Sequence, residues 1–367
     1  MRVLGVVTLV SPLGEYGGPT RVALNQLAAL QARGHEVLLI GGQRGFGTVP
    51  EHIEGVPVRL FPVRSVVPGT GFAGLAAPSL WRAVRRLAPA YDVVHVHAAR
   101  DLITLPAARI AQRTGVPVVL QTHGMIDESR HPLSRPLDAV LTRPALRRAR
   151  AVMHLTTTER DSLTAVGRGA VRLVELGNGV PTDAEPAAPA GPHVLYLARL
   201  AARKRPAMFV SAAVTLAAEF PAARFTLVGP DEGEGAAVRD AIAAADAGDR
   251  VAWVGPAPMS ETATHLRAAS AFVLPAVDEP YPMAVLEAMA LGLPVVVTET
   301  CGLADFIAEH DAGIVVGPSQ DALTGAVRAL LADPAAAAGQ GRRGRAAVRA
   351  ERSMDAVASC LERVYAQ

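Results

Sequence analysis

Short runs of Val, Ile and Leu recur along the chain, each closed by Gly, Pro or a charge and followed by a longer, Ala-rich segment of helical character. In the first half the strand-like runs are 2–10, 36–41, 56–62, 92–97, 117–122, 151–156 and 171–176. Several are apolar at almost every position, the pattern of strands buried on both faces of a parallel sheet. The segment 19–33 opens with Pro19, suited to a first helical turn, and stops at Gly34. This βαβ alternation predicts a doubly wound sheet.

The stretch 183–192 has no apolar periodicity and reads as a linker. Beyond it the alternation restarts, with strands expected at 193–198, 224–229, 250–254, 271–274, 294–298 and 313–316. The expected architecture is α/β: one Rossmann-like domain over 1–186, a second over 187–345, and a C-terminal helix over 346–367 that returns to the first domain. The tail is helical from about 334, with Gly339, Gly341 and Gly344 allowing a bend. Open α/β sheets bind ligands beyond the carboxyl ends of their strands. With two such domains, the residues just past each strand, facing a shared cleft, are the ones to inspect.

Composition removes several function classes. Half the residues are hydrophobic, yet no run approaches the ~20 apolar residues of a membrane span. The first residues lead straight into a strand, so no signal peptide is read. Cys301 and Cys360, the only cysteines, are expected to be structural thiols of a cytoplasmic protein. The net charge of +2 excludes a polyelectrolyte binder, although arginines cluster at 82, 85 and 86, at 143, 147, 148 and 150, and at 342, 343 and 345. Solvated helix faces account for them; the sharper alternative is peripheral docking at the inner face of a membrane carrying a lipid-linked acceptor. Aromatics are few and not interleaved with these arginines, so nucleic acid is a poor partner.

Past the strand 271–274 lie Glu279, Pro280, Tyr281, Pro282, Met283, Ala284 and Glu287. The two prolines exclude an established helix, which is expected to start with Pro282 in its first turn. Free N–H groups of Met283 and Ala284 would suit phosphate oxygens, and the two carboxylates would accept hydrogen bonds from sugar hydroxyls. A lone Glu287 would be an ordinary first-turn carboxylate; two carboxylates framing an anion-ready turn argue for a nucleotide sugar. Past the strand 193–198 come Arg199 and Lys204, cations able to neutralise a diphosphate leaving group, with Arg203 and Arg205 solvated alongside.

Glu279-x7-Glu287 followed by Ala-Met-Ala-x-Gly-x-Pro-Val-Val, together with Arg199-x4-Lys204, Asn178-Gly179-Val180 and Gly255 after the strand 250–254, resembles the retaining glycosyltransferases of family 4, which have the GT-B fold. The resemblance spans nearly the whole chain. It implies that Glu287 contacts the donor ribose, Glu279 the sugar hydroxyls, and Arg199 and Lys204 the diphosphate. Gly17 and Gly18 resemble the family's glycine loop, and His123 would orient the donor sugar. The family often has Gly or Ser where this chain has Pro280, and Gly where it has Pro282, which shifts phosphate contacts to Tyr281, Met283 and Ala284. His95 and His97 alternate onto one face and are read as core or cleft-lining residues, Asp101 as a helix cap. Asp127, Glu128 and Arg130 are the acceptor-side candidates.

No Asp-x-Asp motif is present, so no metal and no cofactor are expected. The resemblance implies transfer of a hexosyl unit, from UDP ahead of GDP, to a glycan, lipid-linked or natural-product hydroxyl. Three rivals stand against it: a sugar-nucleotide epimerase of the same fold, a phosphorylase with lysine-bound pyridoxal phosphate, for which no suitably placed lysine is found, and a non-catalytic two-lobed sugar-binding protein.

Overall fold

The computed structural model describes the chain except residues 13–16, 68, 130, 183–184, 246–249 and 258, and, of Met259 and Ser260, the backbone alone. It divides into two compact units, Met1–Gly179 with Met354–Gln367, and Val180–Ser353.

The first unit holds β1 (Arg2–Val10), β2 (Glu36–Gln43), β3 (His52–Ile53), β4 (Val56–Pro62), β5 (Arg64–Ser65), β6 (Leu75–Ala76), β7 (Val93–His97), β8 (Val118–Gln121), β9 (Ala151–His154) and β10 (Leu173–Glu175). Its main sheet has the order β10-β9-β8-β7-β1-β2-β4-β3, parallel except where β3 pairs antiparallel with β4. Every residue of β7, β8 and β9 is buried, because helices cover both faces. On one face α1 (Gly17–Ala32) lies beside the last helix, and Leu27, Leu30, Leu361, Val364 and Tyr365 share a core with Val3 and Val7. The other face carries α2 (Pro78–Leu87), α3 (Thr104–Arg113), the short α4 (Ser134–Leu137), α5 (Arg143–Arg148) and α6 (Thr157–Gly167).

The second unit holds β11 (His193–Leu197), β12 (Arg224–Val228), β13 (Val251–Trp253), β14 (Ala271–Leu274), β15 (Val295–Thr298) and β16 (Gly313–Val316), all parallel in the order β13-β12-β11-β14-β15-β16. Its helices are α7 (Pro206–Glu219), α8 (Gly235–Ala244), α9 (Met259–Ala268), α10 (Met283–Ala290), α11 (Ala304–Glu309), α12 (Gln320–Ala332) and α13 (Pro334–Glu351). The last helix of the chain, α14 (Met354–Ala366), belongs to the first unit.

Three expectations need correction. The division falls at 179/180 and 353/354 rather than near 187 and 346. Val180 pairs with Ser353 in a parallel bridge, and its N–H donates to the Arg352 carbonyl. The proline-rich stretch is fastened to the second unit, with Ala187 N–H on the Leu291 carbonyl and Ala188 N–H on that of Arg267. The expected bend at Gly339, Gly341 and Gly344 is absent, since α13 runs unbroken. Gly341 serves close packing instead: a Cβ there would stand 1.9 Å from the Gly292 carbonyl oxygen. Finally, α1 starts at Gly17 and not Pro19. Among the described residues no helix is long and apolar enough to cross a membrane.

Candidate active site

In the second sheet the strand order reverses direction between β11 and β14, a topological switch point where open α/β sheets bind ligands. The loops leaving these two strands carry the charged residues. After β11 the chain makes a short 3-10 turn, Ala202–Lys204, and Arg205 takes a left-handed conformation (φ 50°) before α7 begins at Pro206. After β14, Asp278 is also left-handed (φ 49°). Non-glycine residues tolerate this region poorly, and it is held only where surrounding contacts impose it. Here the two loops bind each other: Val277 N–H donates to the Arg203 carbonyl at 2.8 Å, and Arg203 Nη1 to the Asp278 carbonyl at 3.4 Å.

This places Lys204 Nζ 2.5 Å and Arg203 Nη1 2.8 Å from Glu279 Oε2. Lys204 and Glu279 are both buried. Burial lowers the Lys204 pKa, and Arg203 and Arg199 lower it further, while Glu279 opposes them. The cluster therefore carries more positive than negative charge at this strand end, with Glu279 Oε1 outside the ion pairs. Arg199 is not in it; its Nη1 meets both Glu232 oxygens, at 2.7 and 2.8 Å. Arg203, expected to be solvated, is exposed and also reaches Glu279.

Pro282 lies just outside α10 as its N-cap, not in the first turn. The first intrahelical bonds run from Val285 and Leu286 to the Pro282 carbonyl, so the N–H groups of Met283 and Ala284 precede them. Tyr281 is buried, and Met283, Ala284 and Glu287 are half-buried on this turn. Gly255 adopts φ 84° just beyond β13, and its carbonyl accepts the Gly229 N–H at 2.8 Å. Gly229 has to be glycine, because a Cβ would fall 1.9 Å from the Ala198 carbonyl oxygen beside Arg199. Burial pushes the Cys301 thiol up to about 11, which keeps it protonated and non-nucleophilic.

The first unit builds a different centre. His123 lies two residues beyond β8 in a left-handed turn (φ 52°). Its Nε2 is 2.8 Å from His97 Nδ1, and the rings stack at 5.1 Å. His97 stacks in turn on His95 at 4.5 Å, and His95 Nδ1 is 2.8 Å from the Tyr365 hydroxyl of α14. Burial lowers His95 and His123 to about 3 and carries His97 well below its ordinary value. Near neutrality all three are uncharged imidazoles. The His123 turn is fixed by buried Glu159, whose Oε1 accepts from Thr122 Oγ1 and Gly124 N–H and whose Oε2 accepts from Leu155 N–H. Glu159 was missed in the sequence, although Thr156-x-x-Glu159 has the capping-box spacing and Thr156 does cap α6.

Gly17 and Gly18 are the first residues of α1, and nothing lies within 4 Å of a Cβ built on Gly18. Thr20 Oγ1 is bound to the Leu9 carbonyl. Asp101 accepts from the N–H groups of Ile103 and Thr104 at the start of α3. Asp127 and Glu128 are exposed, and Asp127 is paired with Arg100, which also binds Asp138. Arg130 lies outside the described residues.

Comparison with known proteins matches both halves to family models: a glycosyl transferase 4-like domain over residues 17–179 and glycosyl transferases group 1 over 183–347. The chain is 30% identical over 334 residues to a 2-deoxystreptamine N-acetyl-D-glucosaminyltransferase of Streptomyces fradiae, covering 82% of this chain and 79% of that one. It is 28% identical over 291 residues to a glycogen synthase of Mycobacterium tuberculosis, covering 75% and 68%. Anabaena HepE, solved in complex with UDP, superposes with a TM-score of 0.76 over 100% of both chains at 18% identity; that likeness establishes the GT-B fold of two Rossmann-like domains. The chain belongs to the family-4 glycosyltransferases, enzymes that use nucleotide-sugar donors.

Proposed function

We propose that this enzyme moves a hexosyl unit from a nucleotide-diphosphate sugar, UDP ahead of GDP, to a hydroxyl of a glycan, lipid-linked or small natural-product acceptor, with retention and without a metal. The observation that carries this reading is the buried Lys204–Glu279 pair at the β11/β14 switch point, with exposed Arg203 on the same carboxylate oxygen. Cleavage of the sugar–phosphate bond puts negative charge on the departing diphosphate. Lys204, Arg203 and Arg199, with the N–H groups at the start of α10, are preorganised to stabilise it. Glu279 holds the two nearest cations in place and offers Oε1 to a sugar hydroxyl; Glu287 takes the ribose. The acceptor hydroxyl attacks from the face the diphosphate leaves, and a phosphate oxygen of the donor takes its proton.

His123 acts as a neutral hydrogen-bonding group, since its depressed pKa leaves no proton to give near pH 7. Asp127 and Glu128 stand on the acceptor side, and a lipid-linked acceptor would bring the enzyme to the inner membrane face. A thermal-shift panel of UDP, GDP, ADP and TDP in the presence of a chelator tests the reading. Stabilisation by one diphosphate, strongest with UDP and undiminished by the chelator, is expected. Failure of every nucleotide to stabilise the protein would overturn the donor-site assignment.

A further inference from the structure

A cavity of about 540 Å³ in the first unit is lined by Arg109, Arg143, Arg147, Arg148 and Arg168, with Ala139 and Pro144. No carboxylate lines it. Three of the guanidinium groups are steered by neutral oxygens that orient a charge without cancelling it. Arg143 Nε donates to the Val166 carbonyl at 3.0 Å, Arg147 Nε to that of Gly167 at 2.8 Å, and Arg109 Nη1 to Gln112 Oε1 at 2.7 Å. Among the described residues neither Arg148 nor Arg168 has a side-chain hydrogen bond or ion pair. Burial lowers the Arg109 pKa, and Arg148 and Arg113 add to the effect, the mark of cations crowded without a counter-charge.

The position separates this cavity from the strand ends that bind ligands in such sheets. Helices α5 and α6 run back from those ends, so Arg147 and Arg168, at their carboxyl ends, lie toward the amino edges of β9 and β10. Val140, next to the lining Ala139, is 69% exposed. The nearest acid along the chain, Asp138, is buried and bound to Arg100. Arginine forks match the oxygens of a phosphate group.

We infer that this arginine-lined cavity is a second ligand site, built for a phosphate-bearing anion and separate from the nucleotide-sugar site. The phosphate belongs either to a soluble metabolite or to an anionic lipid headgroup, the latter seating the exposed Val140 at the acyl boundary. The site is tested by hydrogen–deuterium exchange of the full chain with inorganic pyrophosphate, which resolves this cavity from the donor site by location. Slowed exchange is expected in segments 139–149 and 164–170. In Arg148→Gln/Arg168→Gln, two changes that remove no internal bond, about tenfold more pyrophosphate should be needed for the same protection. Protection confined to other segments, or unchanged in the variant, overturns the site. A second arm uses vesicles of phosphatidylglycerol or of phosphatidylcholine. Retention on the former only, lost in the variant and competed by pyrophosphate, assigns the phosphate to a headgroup. Pyrophosphate protection without retention assigns it to a soluble ligand. Retention on phosphatidylglycerol that the variant leaves intact counts against the site.

Discussion

The second unit's polar centre lies just past β11 and β14, the first unit's in β7 and just past β8, and the two are filled in opposite ways. The second unit buries charge: Lys204 and Glu279 are buried as a pair, and exposed Arg203 converges on the same Glu279 oxygen. The first unit buries neutral rings: His95, His97 and His123 stack with Tyr365 at one end, all three histidines held far below their ordinary pKa. A buried charge needs a partner, so the first arrangement includes an acid that binds its cations in the free enzyme. A buried imidazole escapes that demand by giving up its proton. One centre is suited to receive an anion, the other to hold hydroxyls by hydrogen bonds that pH near neutrality leaves unchanged.

The comparison breaks first at Lys204. Lys204→Ala should reduce turnover by about a hundredfold or more, with a smaller loss of nucleotide affinity, because charge stabilisation grows as the bond breaks. Steady-state kinetics beside a nucleotide titration measure both. Glu279→Gln comes next, with a loss of about tenfold. The carboxylate raises the Lys204 pKa against burial and the arginines; without it the lysine loses its proton at lower pH, so the alkaline limb of the pH–rate profile must move down. An unmoved limb would remove Lys204 from the rate-limiting charge.

For the neutral centre, His123→Ala should slow turnover by roughly tenfold, the worth of a neutral hydrogen bond, without changing the profile between pH 6 and pH 7. An inflection near 6.5 that vanishes in the variant would contradict the assigned protonation state. Stability gives a smaller, signed effect. His95 has a folded pKa of about 3 against an ordinary 6.5, so its contribution is complete above 6.5 and is lost as pH falls from there toward 3. His95→Gln should make that acid limb shallower by about 1.4 kcal/mol per pH unit, as read from urea unfolding at pH 7 and pH 5. The smallest effect belongs to Arg199→Ala, whose half-exposed pair with Glu232 should cost under about 1 kcal/mol in stability.

Much of this was legible in the sequence because parallel strands buried on both faces leave near-continuous apolar runs, as in β14 and β15. The strands β3, β5 and β6 are two residues each, too short to carry a period. Motif spacing located Lys204 and Glu279, but their pairing across 75 residues of sequence depends on which strands are neighbours. An arginine among arginines gives no local sign of which one reaches Glu279, as Arg203 does while remaining exposed. The tail glycines misled because glycine is also used for close helix approach, as Gly341 does against Gly292. His95 and His97 were rightly seen to share a face, whereas Tyr365 is 270 residues from His95 and had no local signal.

The bridge between Val180 and Ser353 has a consequence for biosynthesis. The chain leaves the first unit once and returns once, so the second is an insertion within it. On the ribosome, the insertion emerges whole while the first sheet still lacks α14. Leu361 and Val364, buried in the folded protein, join Val3 and Leu30 in their core only when α14 is out. The ion pairs of Arg33 with Asp355 and Glu362 close at the same moment. Tyr365, the outer partner of the histidine stack, is supplied by the same helix. A nascent chain therefore has the whole second unit available to fold before the first unit can be completed by α14.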